Sequence, residues 1–130
     1  NSGDWIDRQA AKATGESISY INKEKTKIDL TKPAANLVER AIHTQYQLMI
    51  EHTVNGLNKG FSDINKTVRT DGEVDVVIAG GTSSPNGFAQ LFKQTLDKAD
   101  LPIKVGNVIQ PSDPLYSVAR GCLIAAEASK

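Results

Sequence analysis

Val74-Asp75-Val76-Val77-Ile78-Ala79-Gly80-Gly81-Thr82-Ser83-Ser84-Pro85 is the stretch on which the fold turns. Residues 74–79 form a short, β-branched, mostly apolar run, the pattern of a buried parallel strand. That strand runs directly into Gly80-Gly81, where backbone can take positive φ or come close to another group. Ser84 is suited to cap a helix and Pro85 to open it. A strand, a glycine turn and a helix N-terminus in succession predict a nucleotide or phosphate site.

Downstream, Phe88, Leu91, Phe92 and Leu96 recur on one face of a helix that ends near Ala99-Asp100. Pro102 to Ile109 predicts a second strand. Pro111-Ser112-Asp113-Pro114 is a turn, and Ser112 or Asp113 can cap a last helix carrying Leu115, Val118, Ala119, Cys122, Leu123 and Ala126 on a buried face. The order β-α-β-α implies parallel strands with helical crossovers. Two strands do not make a stable open sheet. Both read as buried, so the sequence predicts neighbours from another chain or from upstream residues of the same parent. The opening Asn1-Ser2 fits a processed or truncated piece.

Upstream, Trp5, Ile6, Ala10 and Ala13 predict a helix from Asp4 to about Thr14, ended by Gly15. Ser17 is a candidate cap for a second short helix that buries Ile18, Ile21 and Tyr20. Lysines from Lys23 to Lys32, interleaved with Glu24 and Asp29, read as a solvated face. Ile28 to Pro33 is an extended connector or short edge strand. A long helix is predicted from about Pro33 to about Ile64. Its apolar positions are Leu37, Val38, Ala41, Ile42, Leu48, Met49, Leu57, Phe61 and Ile64, with Gly56 and Gly60 weakening its end. Asn65 to Glu73 reads as a polar turn around Asp71-Gly72.

Composition narrows the classes. The chain has 130 residues, enough for one compact domain or two small lobes. Fifteen basic and 15 acidic side chains give a formal net charge of +0, which argues against nucleic acid and anionic membrane as partners. No apolar stretch is long enough to span a bilayer. The single cysteine, Cys122, excludes an internal disulfide and fits a reducing, cytoplasmic compartment. Cys122 reads as a packed structural thiol. His43 and His52 lie nine residues apart, not at the i, i+4 spacing of a helical metal pair.

Two segments resemble the C-terminal end of the actin/Hsp70 ATPase superfamily, which includes the bacterial actin-like ATPases. One is Val76-Val77-Ile78-Ala79-Gly80-Gly81-Thr82-Ser83-Ser84. It is similar to the family's adenosine motif, a hydrophobic run ending in Gly-Gly. The other is Pro111-Ser112-Asp113-Pro114-Leu115-Tyr116-Ser117-Val118-Ala119-Arg120-Gly121-Cys122, whose Ala119-Arg120-Gly121-Cys122 is close to the Ala-x-Gly-Ala of the family's last helix. Ser2-Gly3-Asp4-Trp5-Ile6-Asp7 is similar to the segment after the family's second phosphate hairpin, with Ser2 in place of a glycine.

The resemblance implies an α/β, ribonuclease H-like lobe. Residues 1–14 and 73–130 would be its subdomain IIA-like part, and residues 15–72 a mostly helical IIB-like insertion. It implies ATP or ADP with Mg in the complete protein, the metal held outside this chain. Adenosine contacts would fall on Gly80, Gly81, Thr82 and Ser83. Gly3 and Asp4 would approach phosphate or ribose, with Asp4 as a helix cap the competing role. A Glu and a Lys of an early IIB helix lie near the ribose and adenine in the family. By spacing from Ile21 the matching positions are Ser19 and Asn22, with Lys23 adjacent, and neither family residue type is present. No catalytic residue is implied on this chain, which alone is not expected to hydrolyse ATP.

The partners implied are the remaining N-terminal lobe and further copies in a filament. The expected function is holding the adenosine side of ATP and coupling nucleotide state to assembly. A chaperone lobe and a protein–protein assembly module without nucleotide stand as alternatives. So does an unrelated two-layer α/β domain that dimerises to complete its sheet.

Overall fold

The computed structural model describes residues 2–64 and 72–129. Eight elements follow one another: α1 (Gly3–Thr14), α2 (Ile18–Lys25), α3 (Leu37–Ile64), β1 (Glu73–Val77), a 3₁₀ turn (Gly81–Ser83), α4 (Phe88–Lys98), β2 (Lys104–Ile109) and α5 (Ser117–Ala128). The segment around Asp71, expected as a turn, lies mostly outside the described residues.

Helix ends follow local chemistry. Gly15 takes the left-handed conformation at φ 77°, and its N–H donates to Ala11 O at 2.9 Å, closing α1. Ser17 caps α2 by accepting from the Tyr20 N–H at 3.2 Å. Helix α3 begins at Leu37 rather than at Pro33 because Asn36 and Glu39 form a reciprocal cap. The Glu39 N–H donates to Asn36 Oδ1 at 2.9 Å, and Glu39 Oε2 accepts from the Ala35 N–H at 2.7 Å.

The core is built around α3, against which α1, α2 and α4 pack. One cluster joins Ile6 and Ala10 of α1, Ile21 of α2, Ala41, Ile42, Tyr46, Met49, Ile50 and Val54 of α3, and Phe88, Phe92 and Leu96 of α4. The Phe88 ring meets Tyr46 edge-on with centroids 6.1 Å apart and lies 6.2 Å from Phe92. Tyr46, Ile50 and Val54 continue the helical stripe begun by Ile42, while Leu37 and Leu48, expected on that stripe, are exposed. On α2 only Ile21 is buried; Ile18 and Tyr20 face solvent.

β1 and β2 pair in parallel, Glu73 with Lys104 and Val77 with Ile109. The register slips between Val74 and Val76, where β2 carries one extra residue. Asp75 stabilises that bulge: its Oδ1 accepts from the Asn107 N–H at 2.7 Å. A Cβ on Gly106 would sit 2.7 Å from the same oxygen. Val76, Val105 and Val108 pack against the core, and Val77 and Ile109 do not.

The expected ribonuclease H-like lobe does not form. The described chain is 61% helical with a single two-stranded sheet, a small mixed domain. The β-α-β-α order is there, but each strand pairs only with the other, so there is no layered sheet for helices to sandwich. The dominant core lies between helices instead. Two further expectations fail with it. Neither strand is buried, and α5 buries none of its residues, leaving Val118, Leu123, Ile124 and Cys122 in solvent.

Candidate functional site

After β1, Ile78 keeps one more strand contact, its N–H donating to Ile109 O at 2.9 Å. The chain then bends at Gly80, whose φ of 105° and ψ of 154° belong to a region open in practice to glycine alone. The bend is pinned on both sides. The Gly80 N–H donates to Pro114 O at 2.7 Å, and Gly80 O accepts from the Ser83 N–H at 3.0 Å and the Ser83 hydroxyl at 2.8 Å. Gln110 Nε2 donates to Ser83 O at 2.5 Å. The glycine turn is thus tied to the strand after α4 and to the turn before α5.

Ser84 and Pro85 do not open a helix. A 3₁₀ turn intervenes, and α4 starts at Phe88 with Gly87 as its cap residue at φ 84°. The reason is the neighbouring segment 28–31. Leu30 N–H donates to Asn86 O at 2.9 Å, Asp29 and Asn86 form an isolated parallel bridge, and a Cβ on Gly87 would lie 2.9 Å from Thr31 N. Asp29 holds that segment in shape by accepting from the Thr31 hydroxyl at 2.5 Å and the Thr31 N–H at 3.0 Å. Those bonds, the hydroxyl's first, pull its carboxyl from 3.8 down to about 2.

A cavity of about 310 Å³ opens where this turn meets the end of α2, near the lower end of the roughly 300–1,000 Å³ range of small-molecule sites. Its wall includes Lys25, Thr26, Tyr46, Gly81, Ser84 and Asn86. A Cβ on Gly81 would meet Leu115 Cδ1 at 3.1 Å, outside the lining residues. Beside the cavity, Gly3 at the start of α1 lies against Lys25 Nζ and Thr82 Oγ1, which a Cβ would meet at 3.2 and 3.4 Å. Gly3, Lys25 and Thr82, far apart in sequence, therefore come together.

Other expected residues fall elsewhere. Ser83 is buried, and its hydroxyl is committed to Gly80 O. Asp4 is exposed in the first turn of α1, one residue inside the helix rather than at the cap position, which is Ser2. There it complements the helix dipole. Ser19 and Lys23 stand one turn apart on the exposed side of α2 and do not line the cavity. Asp113 accepts from the Tyr116 N–H at 3.4 Å and faces Arg120 at 3.7 Å, acting on the turn before α5.

The residue the sequence reading missed is Lys25, which is not part of a solvated face. Its ammonium donates to Gly3 O at 2.9 Å and to Asp7 Oδ2 at 2.8 Å, with the Asp7 side chain only 3% exposed. Asn22 Nδ2 donates to the same carboxylate oxygen at 2.9 Å. Asn22 and Lys25 are three residues apart and so share a helix face, a spacing visible in the sequence. What hid the site was that Asp7 lies on another helix. The buried Tyr46 completes it: burial, then the charge of Asp7, hold its phenol well above the ordinary tyrosine range.

A cation, hydroxyls and an amide around a small cavity can hold a polar ligand rich in acceptors. Among the described residues, no cluster of three or more His, Cys, Asp or Glu side chains comes together to hold a metal, and no helix is long and apolar enough to cross a membrane. A search of curated proteins finds no match. A family model described as Volactin matches residues 1–126, nearly the whole chain. The chain belongs to the Volactin family.

Proposed function

We infer that this chain holds the adenosine side of ATP or ADP within a larger ATPase of the actin/Hsp70 kind and couples nucleotide state to assembly, most simply of filaments in the cytoplasm. The observation that carries this reading is a cavity lined by both Lys25 and Gly81, with Gly3 lying against Lys25 Nζ and Thr82 Oγ1 beside it. Lys25 supplies a fixed cation. Phosphate clamping, Mg and hydrolysis are assigned to the rest of the protein, and no catalytic residue to this chain. The closing of the complete protein's lobes on nucleotide would then supply the signal for assembly.

Titration of the full-length protein with Mg-ATP and Mg-ADP tests this. Saturable binding is expected. Lys25→Met, which removes the cation from a residue lining the cavity, is expected to weaken it by about tenfold or more, the equivalent of about 1.4 kcal/mol. Light scattering with and without ATP then separates a filament former, which gains signal with ATP, from a chaperone lobe, which does not.

A second reading has one observation in its favour. Val77 and Ile109 on the sheet, and Val118, Leu123 and Ile124 on α5, lie in solvent as apolar side chains. That exposure suits a protein–protein assembly module without nucleotide. Absence of saturable ATP and ADP binding in the full-length protein decides for it.

A further inference from the structure

The ammonium of Lys25 has three N–H donors. Two are engaged, by Gly3 O and by Asp7 Oδ2. Lys25 is one of the residues that line the cavity, and neither of those two bonds uses its third donor. Asp7 itself does not line the cavity. It sits behind Lys25, 2% exposed, among the apolar residues Ile6, Ala10 and Ala11 of the buried face of α1.

Its position is an expensive one. Asp7 Oδ2 takes bonds from both Lys25 and Asn22, while Oδ1 is buried with no hydrogen-bond partner among the described residues. A half-satisfied buried carboxylate destabilises a fold relative to an apolar residue of similar size. Helix α1 would pack at least as well with one there. What the carboxylate adds is a fixed place for the ammonium, at the junction of the α1 N-terminus, the end of α2 and the Gly81 turn.

We propose that Asp7 is a positioning residue of the cavity: acting only through Lys25, it holds the ammonium at the wall already oriented toward the ligand. The inference rests on the nucleotide reading above. Pre-orientation spares the ligand the loss of side-chain freedom that an unanchored lysine would suffer on binding. Nucleotide affinity should therefore depend on Asp7 although Asp7 never touches the nucleotide.

The test is a double-variant cycle on the full-length protein: wild type, D7N, K25M and D7N/K25M, each titrated with Mg-ADP and each melted. D7N and K25M are each expected to weaken binding by about tenfold, and the double variant to bind no more weakly than K25M alone. A purely structural ion pair predicts a lower melting temperature for D7N with Mg-ADP affinity unchanged, and that result overturns the proposal. So does a double variant whose loss is the product of the two single losses. D7N leaves Lys25 buried without its counter-ion. Should D7N not fold, D7E, which keeps the charge but displaces it, decides: weaker Mg-ADP binding supports the proposal, and unchanged affinity overturns it. Wild type that shows no saturable binding overturns the nucleotide reading itself, a result read without any variant.

Discussion

Glycines around the site carry different burdens, and the structure separates them. Gly80 is fixed by backbone conformation, at φ 105° with open space where a Cβ would go. Gly87 is fixed twice over, by φ 84° and by Thr31, whose Cγ2 and N would lie 2.7 and 2.9 Å from a Cβ. Gly81 has no positive φ and would meet only the flexible end of Leu115 at 3.1 Å. Gly87→Ala must therefore push the 28–31 segment away from the α4 cap. It should lower unfolding free energy by about 1–3 kcal/mol, while Gly81→Ala stays within about 0.5 kcal/mol. Urea unfolding of the two variants beside wild type checks this, and equal losses would refute the distinction. Sequence alone marked Gly80-Gly81 as special, because two glycines after an apolar strand are conspicuous. It gave no such signal for Gly87, whose constraint comes from a segment more than fifty residues upstream.

Elements were legible where their signals are local. Gly15, Ser17 and the Phe88-Phe92-Leu96 face mark helices with their own residues, and those helices are observed, although α4 starts at Phe88 rather than at Pro85. The long helix was legible too, but its start depended on the side-chain exchange between Asn36 and Glu39 rather than on Pro33. Burial was far less legible. Leu48 and Ile50 are equally apolar and two residues apart, yet one is exposed and the other fully buried, since packing partners and not hydropathy choose the face. Helix α5 is the sharpest instance: its apolar side chains read as core and touch none. The contrast predicts opposite outcomes for similar residues. Ile42→Ala, at a site with no exposure, should cost about 2–5 kcal/mol through the cavity it leaves. Ile124→Lys, at a site 66% exposed, should change stability by no more than about 0.5 kcal/mol. Thermal unfolding of both variants in the 130-residue chain reads the difference, and a large loss for Ile124→Lys would mean that α5 is buried.

At the scale of the whole molecule, core and candidate site are one structure joined through Tyr46. Its ring packs on Phe88 in the core, its side chain contributes to the cavity wall, and its phenol lies within the field of Asp7. That continuity was beyond the sequence reading, which placed function at the glycine turn and Tyr46 nowhere, because an aromatic on an amphipathic helix carries no sign of what it faces. It has a consequence for pH. Burial and the Asp7 carboxylate both oppose ionisation, so the folded phenol keeps its proton well above the unfolded tyrosine value of about 10. The unfolded state then binds fewer protons than the native state once pH exceeds about 10, and stability falls with rising pH. Below about pH 10 the contribution is fully present; above it, the fall continues until pH reaches the folded value. Urea midpoints at about pH 8, 10 and 11 should therefore drop steeply for wild type and less for Tyr46→Phe, which retains the ring and its contact with Phe88. Parallel curves for the two proteins would show that the phenol is not held neutral by its surroundings, and would sever the link between the core and the Asp7–Lys25 pair.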